Sequence, residues 1–357
     1  MRQDPRLPEC PFSWRQRAVY NFFQFLDHFI SRPVTVWLFG KWRMREFKKV
    51  RKTLEARGTS TIVPVERRKD ITVEELKNDY IKKGIPVIIE GGAKGWECCQ
   101  KWDFNYLHEN YGEDEIPILD VVYLEDGLRY IKLKEAIKEM QLGKGTYFRF
   151  YNLLNRHKET RRDFDFEYLK SIKHKSNYGE FTQAFIGPKD SVTALHNSHA
   201  QNLFVQVYGE KEWYLYPNYF SPLIDPPSTT GGTYRVSPRR GAEAKPFNPF
   251  NPDFKTYPLY KYIDGYHVKL KPGDIFYNPP YMWHTVRNLT DNIGVGYRWL
   301  NAFSAFSTAP TYYSLDLMAY RPSYFKAYKW HLEDGNKEFI YAQKLVQKRI
   351  EKMRVKA

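Results

Sequence analysis

The sequence predicts a mainly β protein, a sandwich or jelly roll with helical additions. Three observations point there. Short β-type runs recur through the middle of the chain, each bounded by Gly, Pro or Asn. Helical spacing is confined to segments that flank those runs. Of the 357 residues, 42% are hydrophobic and 17% aromatic, which supports a large core and excludes a disordered chain.

The elements follow in order. Val19, Phe22, Phe23, Leu26, Phe29 and Ile30 recur three and four apart, which predicts one amphipathic helix ended by Pro33. The apolar run Val34–Phe39 precedes a basic stretch that starts at Lys41. Thr72-Val-Glu-Glu75 is a capping box that opens a helix with Leu76, Tyr80 and Ile81 on one face, closed by Gly84. Pro86-Val-Ile-Ile89 is a short β run ending at Gly91-Gly92. Trp102 to Tyr111 is expected to be helical, with Gly112 as its stop. Ile116–Val122 and Tyr147–Tyr151 are strand candidates, and residues 181–217 hold two β-rich runs around a polar break, Leu195–Gln201. Residues 226–258 are rich in Pro, Gly, Ser and Asn and are expected to form a long loop. Tyr266–Leu270, Ile275–Asn278 and Ile293–Trp299 are further strands, and the tail from Pro322 is helical and basic. No internal repeat is visible.

Charge and cysteine content narrow the setting. The net charge is +15, yet residues 41–57 alone carry +6 and residues 337–357 carry +5. Three cysteines (Cys10, Cys98, Cys99) make no disulfide framework and no Cys-x-x-Cys zinc motif, so a reduced, cytoplasmic setting is expected. The segment 12–42 has no uncharged apolar run of the ~20 residues a spanning helix needs. Its helix fits packing on the domain's own core or on a second copy of the chain. Alternatively, residues 12–52 lie on an anionic membrane surface. The basic ends also leave RNA contact open.

Two motifs carry chemistry. One reads Thr193-Ala-Leu-His196-Asn-Ser198-His199-Ala-Gln-Asn202, followed by Lys211 and Trp213. The other reads Pro272-Gly-Asp274 and then Asn278-Pro-Pro-Tyr-Met-Trp283-His284. Pro-Gly-Asp makes a tight turn, a strand leaves it, and a Pro-containing turn then presents His284. His196 and His284, on facing strands of a jelly roll, are placed to converge on one metal in the barrel mouth. His28, His108, His157, His174, His267 and His331 have no such context and read as structural.

These motifs resemble the cupin-like branch of the JmjC oxygenases, which includes the asparaginyl hydroxylase acting on hypoxia-inducible factor and other protein and transfer-RNA hydroxylases. Pro86-Val-Ile-Ile-Glu-Gly, Trp96, Trp102, Leu107, Tyr111-Gly112 and Pro117 resemble the family's entry segment. Residues 181–217 and 248–300, with Asn251-Pro-Asp253 and Tyr257-Pro, resemble its metal-bearing strands. The resemblance implies a double-stranded β-helix over residues 59–305, an N-terminal segment 1–58 and a C-terminal tail 306–357 that often dimerises such proteins. It implies Fe(II) and 2-oxoglutarate as cofactors, the metal being held by a His-x-Asp/Glu pair and a distant His. Here His196 and His284 fill the histidine positions and Ser198 falls where the carboxylate belongs. Water, Ser198 or His199 is then left to complete the shell. By the same resemblance Lys211, Thr193 and Tyr147 would hold the co-substrate and Asn202 would stand beside the metal. Arg298 occupies a family asparagine position, where it would face an acidic substrate or the co-substrate.

The expected function is an Fe(II)/2-oxoglutarate oxygenase with an atypical site, acting on a protein, peptide, RNA or lipid. The alternatives are a catalytically inactive binding module, a halogenase-type enzyme with halide beside Ser198, or a lipid-modifying enzyme at a membrane surface.

Overall fold

The computed structural model describes residues 6–118, 129–144, 148–174, 177–226, 234–236 and 246–319. Fifteen strands are found among them: β1 (Ile62–Pro64), β2 (Glu66–Arg68), β3 (Val87–Ile89), β4 (Glu115–Ile118), β5 (Arg129–Lys132), β6 (Phe148–Tyr151), β7 (Tyr178–Gly187), β8 (Val192–Ser198), β9 (Gln201–Tyr208), β10 (Lys211–Tyr216), β11 (Tyr234–Val236), β12 (Gly265–Leu270), β13 (Ile275–Asn278), β14 (Trp283–Asn288) and β15 (Asn292–Leu300). A six-stranded sheet runs β1-β12-β10-β14-β8-β11 and a seven-stranded sheet runs β2-β3-β13-β9-β15-β7-β6. Only the β1–β12 and β2–β3 pairs are parallel; β4 and β5 form a separate hairpin. This is the mainly β jelly roll that the sequence predicts.

Three apolar cores follow from strand alternation. Phe204, Phe276 and Ile88 of the larger sheet meet Trp213, Leu215, Val268 and Val286 of the smaller one, filling the space between the sheets. The outer face of the larger sheet, with Val205, Tyr277, Val295 and Trp299, packs on Leu107, Ile137 and Leu169 from the flanking helices. The outer face of the smaller sheet, with Leu195, Tyr216 and Trp283, is covered by Val50, Leu54, Leu223, Tyr312 and Leu315. Burying each such side chain fully contributes roughly 1.5–3 kcal/mol.

Some expectations need correction. The chain before β1 forms two helices, α1 (Trp14–Phe29) and α2 (Arg32–Arg57). Pro33 sits in the first turn of α2, where its missing N–H costs nothing. The sequence hid α2 because only Thr35, Val50 and Leu54 of its 26 residues are buried, so no apolar stripe marks it. Trp102 to Tyr111 is not one helix. Trp102 caps the end of Glu97–Lys101, and Asp103 then accepts the Tyr106 N–H (2.7 Å) to start Phe104–Tyr111. The polar break at Leu195–Gln201 shrinks to His199 and Ala200, because the polar residues before it continue β8. Part of the segment 226–258 is strand: β11 pairs with β8 along its His196–Ser198 edge. The tail from Pro322, like Tyr147, lies outside the described residues.

The Pro-Gly-Asp turn forms as expected. Buried Asp274 accepts from the Lys271 N–H (3.0 Å), the Gly91 N–H (3.1 Å) and Arg67 Nη2 (2.8 Å), which ties the β12–β13 turn to the end of β3.

Candidate functional site

The site lies between the sheets and is built by register. In β10, Lys211, Trp213 and Leu215 pair with Asn288, Val286 and His284 of β14, so these six share one face. His284 pairs in turn with His196 of β8. The two histidines therefore meet as neighbours within one sheet, rather than from facing strands. Thr193 is three residues from His196, an odd spacing that regular alternation would split between faces. A bulge between the His284 and Val286 pairings brings Thr193 opposite Val286, and so onto the histidine face.

The two imidazole rings lie 4.1 Å apart by centroid. Each is oriented by a carbonyl two residues back: His196 Nδ1 lies 2.8 Å from the Ala194 oxygen and His284 Nδ1 2.9 Å from the Met282 oxygen. With Nδ1 donating, Nε2 of each ring keeps its lone pair for a metal. Trp213 stacks on His284 at 5.6 Å and helps fix that ring. Burial, with the positive charge of Arg298 adding to it, lowers the His284 pKa to about 4, so the ring is neutral at physiological pH.

The turn before His284 carries local strain. Tyr281 adopts φ +56, unusual for a bulky residue. Its N–H donates to the Ser198 oxygen (2.6 Å), its oxygen accepts from Asn218 Nδ2 (3.0 Å) and its hydroxyl donates to Asp316 (2.5 Å). These bonds hold the turn and link it to the Ser198 end of β8.

Ser198 follows His196 by two residues on the same side of β8. His199 stands in the turn beyond it. Among the described residues no three His, Cys, Asp or Glu side chains gather as a group able to hold a metal. Among the described residues the site thus has two imidazoles and no carboxylate beside them.

Lys211 is 1% exposed. Its ammonium lies 4.8 Å from the Phe204 ring centroid and 5.8 Å from that of Phe185. No hydrogen bond or ion pair to it is found among the described residues, and burial lowers its pKa to about 7. Asn202 is also buried, and neither atom of its amide has a hydrogen-bond partner among the described residues. It pairs with Asn278 of β13 and Arg298 of β15 on the inner face of the larger sheet. The Arg298 guanidinium is 5.7 Å from the Phe185 ring. A buried amine and a buried amide that find no partner among the described residues each carry a desolvation cost that a polar ligand would relieve.

Sequence reasoning did not single out Asn278, or Gly294 and Gly296. The two glycines are what keep the inner face of β15 open. A Cβ on Gly294 would stand 2.2 Å from Phe204 Cζ, and one on Gly296 2.8 Å from Asn202 Oδ1. The Gly-Val-Gly pattern inside a strand was the available signal. Of the other histidines, His267 pairs with Glu212 (2.7 Å) and His157 with Asp114 (2.9 Å), consistent with structural roles.

Comparison with known proteins agrees with this architecture. The lysine-specific demethylase JMJ30 of Arabidopsis thaliana is 26% identical over 262 residues, covering 68% of this chain and 56% of the relative. JmjC domain-containing protein D of Dictyostelium discoideum is 28% identical over 248 residues, 63% of this chain and 53% of the relative. The human bifunctional peptidase and (3S)-lysyl hydroxylase JMJD7 is 22% identical over 247 residues, 61% of this chain and 78% of the relative. The chain spans a little over half the length of the first two. A family profile described as a cupin-like domain matches residues 73–305, from the capping-box helix to the end of β15 and just beyond, so the chain belongs to the cupin-like, JmjC-type domain family.

Proposed function

We propose that this chain is an Fe(II)/2-oxoglutarate-dependent oxygenase of the hydroxylase type, working with a two-histidine metal site. The observation that carries the reading is Lys211, a buried amine with no anionic partner among the described residues, on the same sheet face as the paired His196 and His284. Nε2 of the two histidines would hold the metal, with Ser198 bordering the position of the missing carboxylate. Lys211 would pair with the distal carboxylate of 2-oxoglutarate, with Thr193 and Asn202 as hydrogen-bonding neighbours. When bound, iron and 2-oxoglutarate supply an oxidant, as O2 is consumed and 2-oxoglutarate is split to succinate and CO2. The chain's own residues do the rest. The carbonyls of Ala194 and Met282 keep each imidazole in the tautomer that leaves Nε2 available. Phe204, Phe185 and Trp213 exclude water, which strengthens the Lys211–carboxylate pair. Arg298 adds a second positive charge near His284 and favours an acidic group in the same space. The names of the relatives make lysine side chains of proteins the first substrates to try.

Succinate release from 2-oxoglutarate with Fe(II) tests this. Wild type should release succinate, and His196→Ala, His284→Ala and Lys211→Met should not. A second reading, a catalytically inactive module of the same fold, is favoured by the absence of a third protein ligand among the described residues. It predicts 2-oxoglutarate binding without turnover in wild type.

A further inference from the structure

We propose that the tip of the α1–α2 hairpin docks on an anionic lipid bilayer, its apolar end entering the headgroup layer and the basic stripe of α2 standing above it. Phe29 and Ile30 end the first arm of the hairpin; Val34, Trp37 and Leu38 open the second. All five are exposed, Trp37 by 82% and Phe29 by 60%. Five apolar side chains clustered at one end of a helical hairpin are more than scattered surface residues.

The charges complete the argument. Lys41, Arg45, Lys48 and Lys52 recur four, three and four apart, on one face of α2, and all four are exposed. Lys41, Lys48 and Lys52 have no ion pair among the described residues, while Arg45 shares Glu46 with Lys49. At the helical rise, Lys41 stands about 6 Å and Lys52 about 22 Å along the axis from Trp37. An apolar face enters a bilayer by about 5–10 Å. Trp37 at headgroup depth would therefore leave Lys41 and Arg45 at the charged surface.

The tip is also held in shape. Buried Asp27 accepts both Arg43 guanidinium nitrogens (2.9 and 2.7 Å) and the Thr35 hydroxyl, tying the two helices together. Trp42 packs on Phe22 and Phe23, and Arg32 pairs with Asp225 of the domain body. The backbone of the tip is therefore ordered before any contact is made. Other occupants fit the charges or the apolar tip less well. A second copy would set the basic stripe near its own image, and the chain's C-terminal segment 337–357 carries +5 itself. RNA would use the lysines and could stack bases on Phe29 and Trp37, but would leave the aliphatic Ile30, Val34 and Leu38 without a role. No helix among the described residues is long and apolar enough to cross a membrane, so the contact is with the surface.

Flotation of the full chain with phosphatidylcholine vesicles, with and without phosphatidylserine, tests the proposal. The chain should float only with phosphatidylserine present, and less so at high salt. The Phe29→Ser/Trp37→Ser and Lys41→Glu/Lys48→Glu/Lys52→Glu variants should each bind at least about tenfold more weakly. All five side chains are exposed, so melting temperatures should match wild type; Trp37→Ser alone repeats the test if the double variant loses its fold. Absence of vesicle binding overturns the proposal. So does single-stranded RNA binding that needs the lysines, with or without Phe29 and Trp37, in the absence of flotation. A wild-type dimer that Trp37→Ser dissociates, again without flotation, assigns the tip to self-association and overturns it too.

Discussion

Replacing Lys211 by Met should make the ligand-free protein more stable and abolish its response to 2-oxoglutarate. Lys211 is 1% exposed, and burial lowers its pKa from 10.5 to about 7. For a base whose folded pKa is depressed, the cost to stability is fully present below the folded value and fades as pH rises to the unfolded one. A shift of that size corresponds to about 5 kcal/mol, of which about 4 remains near pH 7.4 and about 1 near pH 9.5. The Phe204 and Phe185 rings offset about 1 kcal/mol of this by attracting the cation. Met has similar length and no charge. Urea unfolding with a chelator present should show the variant about 2–4 kcal/mol more stable near pH 7.4, with the gap nearly closed near pH 9.5. Adding 2-oxoglutarate should raise the midpoint of wild type only. A variant less stable at both pH values, with a gap that does not change, would refute a lone buried ammonium at this position.

Three further outcomes follow from the same geometry. Gly294→Ala drives a Cβ to 2.2 Å from the Phe204 ring, which Trp213 holds at 5.1 Å. It should cost about 1–3 kcal/mol in a thermal or urea melt and weaken 2-oxoglutarate binding, since Phe204 lies under Lys211. Asp274→Ala removes the acceptor of the Gly91 and Lys271 N–H groups and of Arg67, and should cost about 2–4 kcal/mol in the same assay. The His284 pKa of about 4 means that protonation of this ring competes with metal only at low pH. The His284 ring, followed by NMR at a series of pH values in the metal-free chain, should stay neutral through the ordinary histidine range near pH 6.5 and protonate toward pH 4. A midpoint near 6.5 would contradict a dry His284.

Much of the fold was legible because β12 and β15 carry period-2 apolar patterns and β13 a short continuous apolar run, each bounded by clear turn residues, and Asp274 marks a turn that its side chain closes. Other parts carried no local signal. Helix α2 is exposed over most of its surface, so its pattern is that of a basic segment. The bulge that brings Thr193 beside His196 is a register event between β8 and β14, invisible in either strand alone. β11 is three residues inside a Pro- and Gly-rich stretch, and only its pairing with β8 defines it. At the site, the type of His196 and His284 was readable from the motif. That Lys211 and Asn202 are buried with no partner among the described residues required the packing of both sheets.

The most direct test of the central claim is anaerobic Fe(II) titration of the purified chain with 2-oxoglutarate, read by the metal-to-ligand absorption band. Wild type should show the band, and His196→Ala and His284→Ala should both lose it. Ser198→Asp, which restores the carboxylate, should bind iron at least about tenfold more tightly, since a charged ligand replaces a neutral hydroxyl. No band and no retained iron in wild type, while 2-oxoglutarate still raises its melting temperature, would contradict the oxygenase reading and leave the fold as a ligand-binding module.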